Sequence, residues 1–183
     1  MSSQGRNLLQ DETCTIPFKM DRRCESGTGR EQMVEDLHRR RVLNFLDAFY
    51  AGDTDAAMAC CDDEFDSITY APIELFPHLG HKHGQSWVAE AIRTQQNRYS
   101  SRKYEIKFLS VEGAKVATIQ HLSLRKRSDD RVVQLEVAEF FTLHGGRILQ
   151  HRGFFDSFDF VQQLLGQDLT DAFAASVRNA MRR

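Results

Sequence analysis

The 183-residue chain carries a net charge of −2, with 41% hydrophobic and 27% charged residues, the profile of a globular protein that can bury one sizeable core. Acids and bases are interspersed, and the basic clusters Arg39-Arg40-Arg41 and Arg125-Lys126-Arg127 are short, which argues against a nucleic-acid partner. No apolar run approaches membrane-spanning length, no hydrophobic leader opens the sequence, and Cys14, Cys24, Cys60 and Cys61 form no CxxC pair; a cytoplasmic protein with reduced thiols and no membrane partner is expected.

Residues 1–30 show no sustained periodicity and are rich in polar and small residues, so a disordered tail is expected there. A folded domain is expected over 31–166. It opens with a helix in which Val34, Leu37, Val42, Phe45, Leu46 and Phe49 recur at helical spacing, stopped by Gly52. Asp53 or Thr54 caps a short second helix, and EFDSITYAP then alternates as a strand that ends at Pro72. The stretch IELFPHLGHKHG reads as a loop, after which Ser86 caps a helix carrying Trp87, Val88, Ala91, Ile92 and Gln95.

From Tyr104 the period changes to two. KYEIKFLSV, KVATIQHLSLRK, RVVQLEVAEFFTL and RILQHRGFFDSF are four strands separated by the hairpin signals Glu112-Gly113, Ser128-Asp129-Asp130 and His144-Gly145-Gly146. Residues 167–183 form a C-terminal amphipathic helix with Leu169, Phe173, Val177 and Met181 spaced by four, suited to packing on its own domain or on a partner subunit. Helices followed by antiparallel strands predict an α+β fold, a cone-shaped curved antiparallel sheet packed against N-terminal helices and enclosing an apolar cavity.

In strict alternation Ile148, Gln150, Arg152, Phe154, Asp156, Phe158 and Phe160 share one face of the last strand, which sets the Asp156 carboxylate between aromatic rings. Desolvation there would raise its proton affinity, whereas capping of the next segment or pairing with Arg152 would leave it ordinary. Glu139 shares the apolar face of Val133, Leu135, Val137, Phe141 and Leu143. The loop histidines His78, His81 and His83 are numerous enough for a zinc site, but their irregular spacing favours a gate at the cavity mouth over a metal.

The series FYAGD at a helix end, DDEFDSITYAP, a helix opened by HGQSW, four long strands and the closing GGRILQHRGFFDSFDF resembles the SnoaL-like group of the nuclear transport factor 2-like superfamily, over about residues 33–166. The resemblance implies a cystatin-like α+β roll and a cofactor-independent enzyme of the cyclase, isomerase or hydrolase class, acting by general acid/base chemistry on an apolar carbonyl-type substrate. A ketosteroid-isomerase arrangement would need a tyrosine where Phe45 stands and a carboxylate where Ala71 stands. A limonene-type epoxide-hydrolase arrangement finds Tyr70 and Asp156, but Pro72, His121 and Ser123 where its other partners belong. The cyclase pattern is looser: Asp156 as acid/base, His121 or Glu139 as its partner, and Tyr70 orienting the substrate. A homodimer is implied, and the alternative is a non-catalytic ligand-binding or dimerisation module of the same fold.

Overall fold

The structure is a computed structural model that describes residues 29–182; the expected tail and Cys14 and Cys24 lie outside the described residues. Three helices come first, α1 (Gly29–Ala51), α2 (Thr54–Ala59) and α3 (Ser86–Arg98), with β1 (Cys61–Tyr70) and β2 (Gly80–His83) between the last two. Four long strands follow, β3 (Tyr99–Glu112), β4 (Lys115–Lys126), β5 (Val132–His144) and β6 (Arg147–Phe155), and then α4 (Ser157–Leu165) and α5 (Thr170–Ala180). The fold is α+β, with the helices against a curved, unclosed six-stranded sheet in the order β2-β1-β6-β5-β4-β3. Its pairs are antiparallel except one: β1 runs parallel to β6, which makes the sheet mixed. No described helix is long and apolar enough to cross a membrane.

Local chemistry accounts for the elements. Asp53 caps α2, its carboxylate accepting from the Ala56 amide at 3.0 Å. Ser86 does not cap α3; Gln85 holds that position without a side-chain cap and donates instead to the Cys61 carbonyl at 2.9 Å, tying the helix to β1. The segment read as a loop contains β2, a short edge strand paired with Asp66–Thr69. Its sequence GHKH has no apolar alternation because neither face enters the core.

The core lies between α1, α3 and the concave sheet face. Val42, Phe45 and Leu46 of α1 meet Phe65, Val116, Phe141 and Ile148 of the sheet, all buried. The Phe45 ring sits 6.4 Å from Phe65 and 6.1 Å edge-on to Phe141. Val34 and Leu37, expected in the same apolar stripe, are exposed, because the first turns of α1 run past the sheet. That end is held by polar contacts instead: Glu35 accepts from the Gly113 amide at 2.9 Å and His38 meets its carbonyl at 2.8 Å. Gly113 has φ of +55°, the left-handed conformation that the β3–β4 turn needs.

Candidate functional site

A cavity of about 130 Å³ opens between α1, α3 and the concave face of the sheet. Phe45, Leu46, Phe49, Trp87, Leu122 and Leu135 supply much of its apolar wall, and Arg98 is the exposed member of the lining. Polar groups are few: Glu139, His151, Thr69, Tyr50 and Tyr99, with His78, Thr94, Gln95 and Arg98 on the helix side.

The sheet side carries a hydrogen-bonded chain. Glu139 points inward from β5 on the same parity as Val133, Leu135 and Val137, as the alternation predicts. Its Oε1 lies 3.2 Å from His151 Nε2, and its Oε2 accepts from Gln120 Nε2. The other imidazole nitrogen, Nδ1, lies 2.8 Å from the Ser67 hydroxyl, which is fully buried. A carboxylate only accepts, so Nε2 carries the proton toward Glu139, and Nδ1 accepts from Ser67. One tautomer satisfies Ser67, His151 and Glu139 together, while Gln120 Oε1 is left without a partner among the described residues. Gly153 stands across from Glu139 on β6; a Cβ there would come within 3.3 Å of His151 Cε1, so glycine leaves the imidazole its place.

Tyr50 and Tyr99 line the same space. Burial, then the neighbouring Glu139 and Tyr104, hold the Tyr50 hydroxyl well above its ordinary pKa, against a smaller opposing pull from Arg102. Burial likewise raises Tyr99. On the helix side, burial followed by the Arg98 and Lys82 charges pushes His78 below the usual histidine value, with Glu90 opposing. Arg98 Nη1 donates to His78 Nε2 at 3.4 Å, which leaves the imidazole proton on Nδ1.

The structure brings one of the four sequence-derived residues, Glu139, to the cavity. Asp156 is exposed, and its carboxylate caps α4, accepting from the Phe158 and Asp159 amides at 3.0 Å each. The reason is a bulge: Thr142 pairs with Gln150 but Leu143 pairs with Ile148, so Leu149 is an extra residue and the parity of β6 reverses beyond it. Ile148, His151 and Gly153 are therefore buried, while Gln150 and Phe154 are exposed on the other face. Arg152 pairs with Asp66 rather than Asp156, Nη2 to Oδ2 at 2.7 Å. His121 points to the convex face, between Glu105 and Glu136 on the neighbouring strands. Tyr70 is half exposed and stacks on Phe154 at 4.4 Å, outside the cavity lining.

The histidine loop also divides. His81 bonds Asp66 at 2.5 Å and His83 bonds Glu64 at 3.3 Å, both at the surface, while only His78 reaches the cavity. Among the described residues no group of three metal-ligating side chains converges. Sequence reasoning missed His151, Ser67, Tyr50, Gln95 and Arg98 as site residues. For Tyr50 a signal existed, since it follows Leu46 by one helical turn.

The SnoaL-like domain family matches residues 42–151, more than half of the chain and a span that includes Glu139 and His151. The protein belongs to the SnoaL-like family. Similar solved structures include a candidate isomerase from Rhodopseudomonas palustris, 25% identical with a TM-score of 0.64, over 72% of this chain and 97% of that one. An LEH-like epoxide hydrolase from M. tuberculosis is 26% identical with a TM-score of 0.58, over 72% and 91% of the two chains. A candidate SnoaL-like polyketide cyclase from Jannaschia sp. CCS1 shares the fold at 15% identity and a TM-score of 0.63, over 76% and 96%. A comparison with curated proteins gives no match. In this SnoaL-like protein the helices and the concave sheet face border a cavity of about 130 Å³.

Proposed function

We infer that this SnoaL-like protein is a cofactor-independent enzyme that moves a proton on an apolar carbonyl-type substrate, in the cyclase, isomerase or hydrolase class. The observation that carries the reading is the buried chain Ser67–His151–Glu139 at the wall of a largely apolar cavity. Each Glu139 oxygen has one partner and keeps a lone pair for substrate. Glu139 acts as the base toward a carbon-bound proton or a water. His151 Nε2–H holds the Glu139 carboxylate in place, and the Tyr50 hydroxyl is the donor for the oxyanion that develops. The likeness to a candidate isomerase and to an epoxide hydrolase supports the same class of chemistry. Proton exchange at the α-carbon of cyclic ketones in D2O, followed by NMR, tests it: Glu139→Gln is expected to slow exchange by about 10²–10⁴-fold. Equal rates in the two proteins would sink the assignment.

The working unit in this reading is a cytoplasmic homodimer formed through the convex sheet face. Phe108, Ile119, Ala138, Phe154 and Tyr70 stand in register across β3, β4, β5, β6 and β1, and Phe140 packs edge-on to Phe154 at 5.9 Å. Phe108, Phe140, Phe154 and Tyr70 are each about half exposed. Such a continuous aromatic band on a sheet face suits a second copy of itself.

A further inference from the structure

The cavity has a second polar pole, and it belongs to no part of the acid/base chain. His78, on the β1–β2 connection, and Gln95, on the last turns of α3, both line the cavity from the helix side, away from the sheet that carries Glu139 and His151. Each holds a buried polar atom without a protein partner among the described residues: His78 Nδ1 and Gln95 Oε1. Buried polar atoms are satisfied in most folded proteins, and an unpaired one costs roughly 1–3 kcal/mol. Two in one cavity wall are therefore a demand that a ligand can meet.

The two atoms ask for opposite things. Arg98 donates to His78 Nε2, so His78 Nδ1 bears a hydrogen and needs an acceptor. Gln95 Oε1 needs a donor. A ketone or ether oxygen satisfies the first and leaves the second open; a carboxylate satisfies the first and is repelled by the second. A hydroxyl does both at once.

We propose that His78 and Gln95 form a subsite for a substrate hydroxyl, so that the natural substrate is an apolar molecule bearing a carbonyl for the Glu139–His151 pair and an alcohol or enol group for the helix side. Arg98 is the positioning residue, holding the His78 tautomer that donates into the cavity. The subsite deepens the acid/base reading and rests on it only for the orientation of the carbonyl.

Trp87 is the single tryptophan of the chain and lines the cavity, so its fluorescence reports occupancy directly. Three ring ketones that leave its emission unobscured serve as probes with the full-length protein: cyclohexanone, 4-hydroxycyclohexanone and 4-oxocyclohexanecarboxylate. The hydroxy ketone is expected to bind about tenfold tighter than cyclohexanone, one net hydrogen bond's worth, and the carboxylate no better than cyclohexanone. Gln95→Met and His78→Phe are expected to abolish the preference, read within each variant as the ratio of its affinities for the two neutral ketones, and Gln95→Glu, which keeps an acceptor, to retain it. Equal affinity for the two neutral ketones, tightest binding of the carboxylate, a preference that survives Gln95→Met, or no saturable binding at millimolar concentration overturns the subsite. The acid/base reading fails separately: Glu139→Gln leaves the hydroxyl preference intact whatever it does to α-proton exchange.

Discussion

His151 and Glu139 illustrate how a residue's use follows from its neighbours more than from its type. The imidazole is set by Ser67, whose hydroxyl has no other role in the buried wall. Ser67→Ala is expected to destabilise the fold by about 1 kcal/mol and to lower α-proton exchange about tenfold, and Ser67→Thr to recover part of both. Thermal unfolding and the exchange assay measure the two losses separately. His78 offers a pH test. Its folded pKa is depressed, so the unfolded chain takes up the proton first, and the contribution of neutral His78 to stability is present above about pH 6.5 and lost below it. Denaturant midpoints of the wild type should therefore fall more between pH 7 and 5 than those of His78→Phe. Cys61 is chemically quiet: burial, reinforced by Cys60, pushes its thiol up to about 12. Native protein at pH 8 is expected to show no Cys61 labelling by thiol reagents until it unfolds.

At the level of elements, the sequence exposed what alternation alone can carry and hid what depends on register. Glu139 was legible because β5 keeps a strict period of two, so a carboxylate among Val133, Leu135, Val137 and Phe141 had to share their face. His151 was not, because one extra residue at Leu149 reverses β6, and nothing in ILQHRGFF announces a bulge. Asp156 misled for the same reason, since its place on the face was counted through that bulge. It begins a helix rather than ending a strand, which is the capping alternative that the sequence had left open for it. The fold itself was readable from the order of helices and hairpins, except for the parallel β1–β6 contact, which no local pattern encodes. Deleting Leu149 is expected to remove the bulge and restore regular alternation with Ile148, His151 and Gly153 still on the concave face, because Leu143, Thr142 and Phe141 keep their partners. Retained α-proton exchange with a retained β-rich circular dichroism spectrum would be its signature. Gly153→Ala perturbs the wall itself, crowding His151 without moving the strand, and is expected to lower exchange.

At the scale of the molecule, the two faces of the sheet divide the labour: the concave side holds polar chemistry in an apolar setting, the convex side an aromatic band suited to a second copy. Phe154→Asp sits at the middle of that band, stacked on Tyr70 and edge-on to Phe140. If the proposed homodimer forms through this band, the substitution is expected to give a monomer in sedimentation velocity where the wild type gives a dimer, with little change in the cavity; a monomeric wild type would sink the proposal. The C-terminal helix α5 adds Phe173, packed against Phe158 at 5.3 Å, while Val177 and Met181 stay exposed. The β1–β6 pairing has one more consequence, in time rather than space. The Ser67–His151 hydrogen bond joins residues 84 positions apart, whereas β3, β4, β5 and β6 can zip together as successive hairpins. On a growing chain β1 must wait for β6, and the reactive wall is completed by the last strand to be made. Acquisition of native exchange activity during refolding should accordingly lag behind the bulk of β-sheet formation, a delay set by the longest loop the chain has to close.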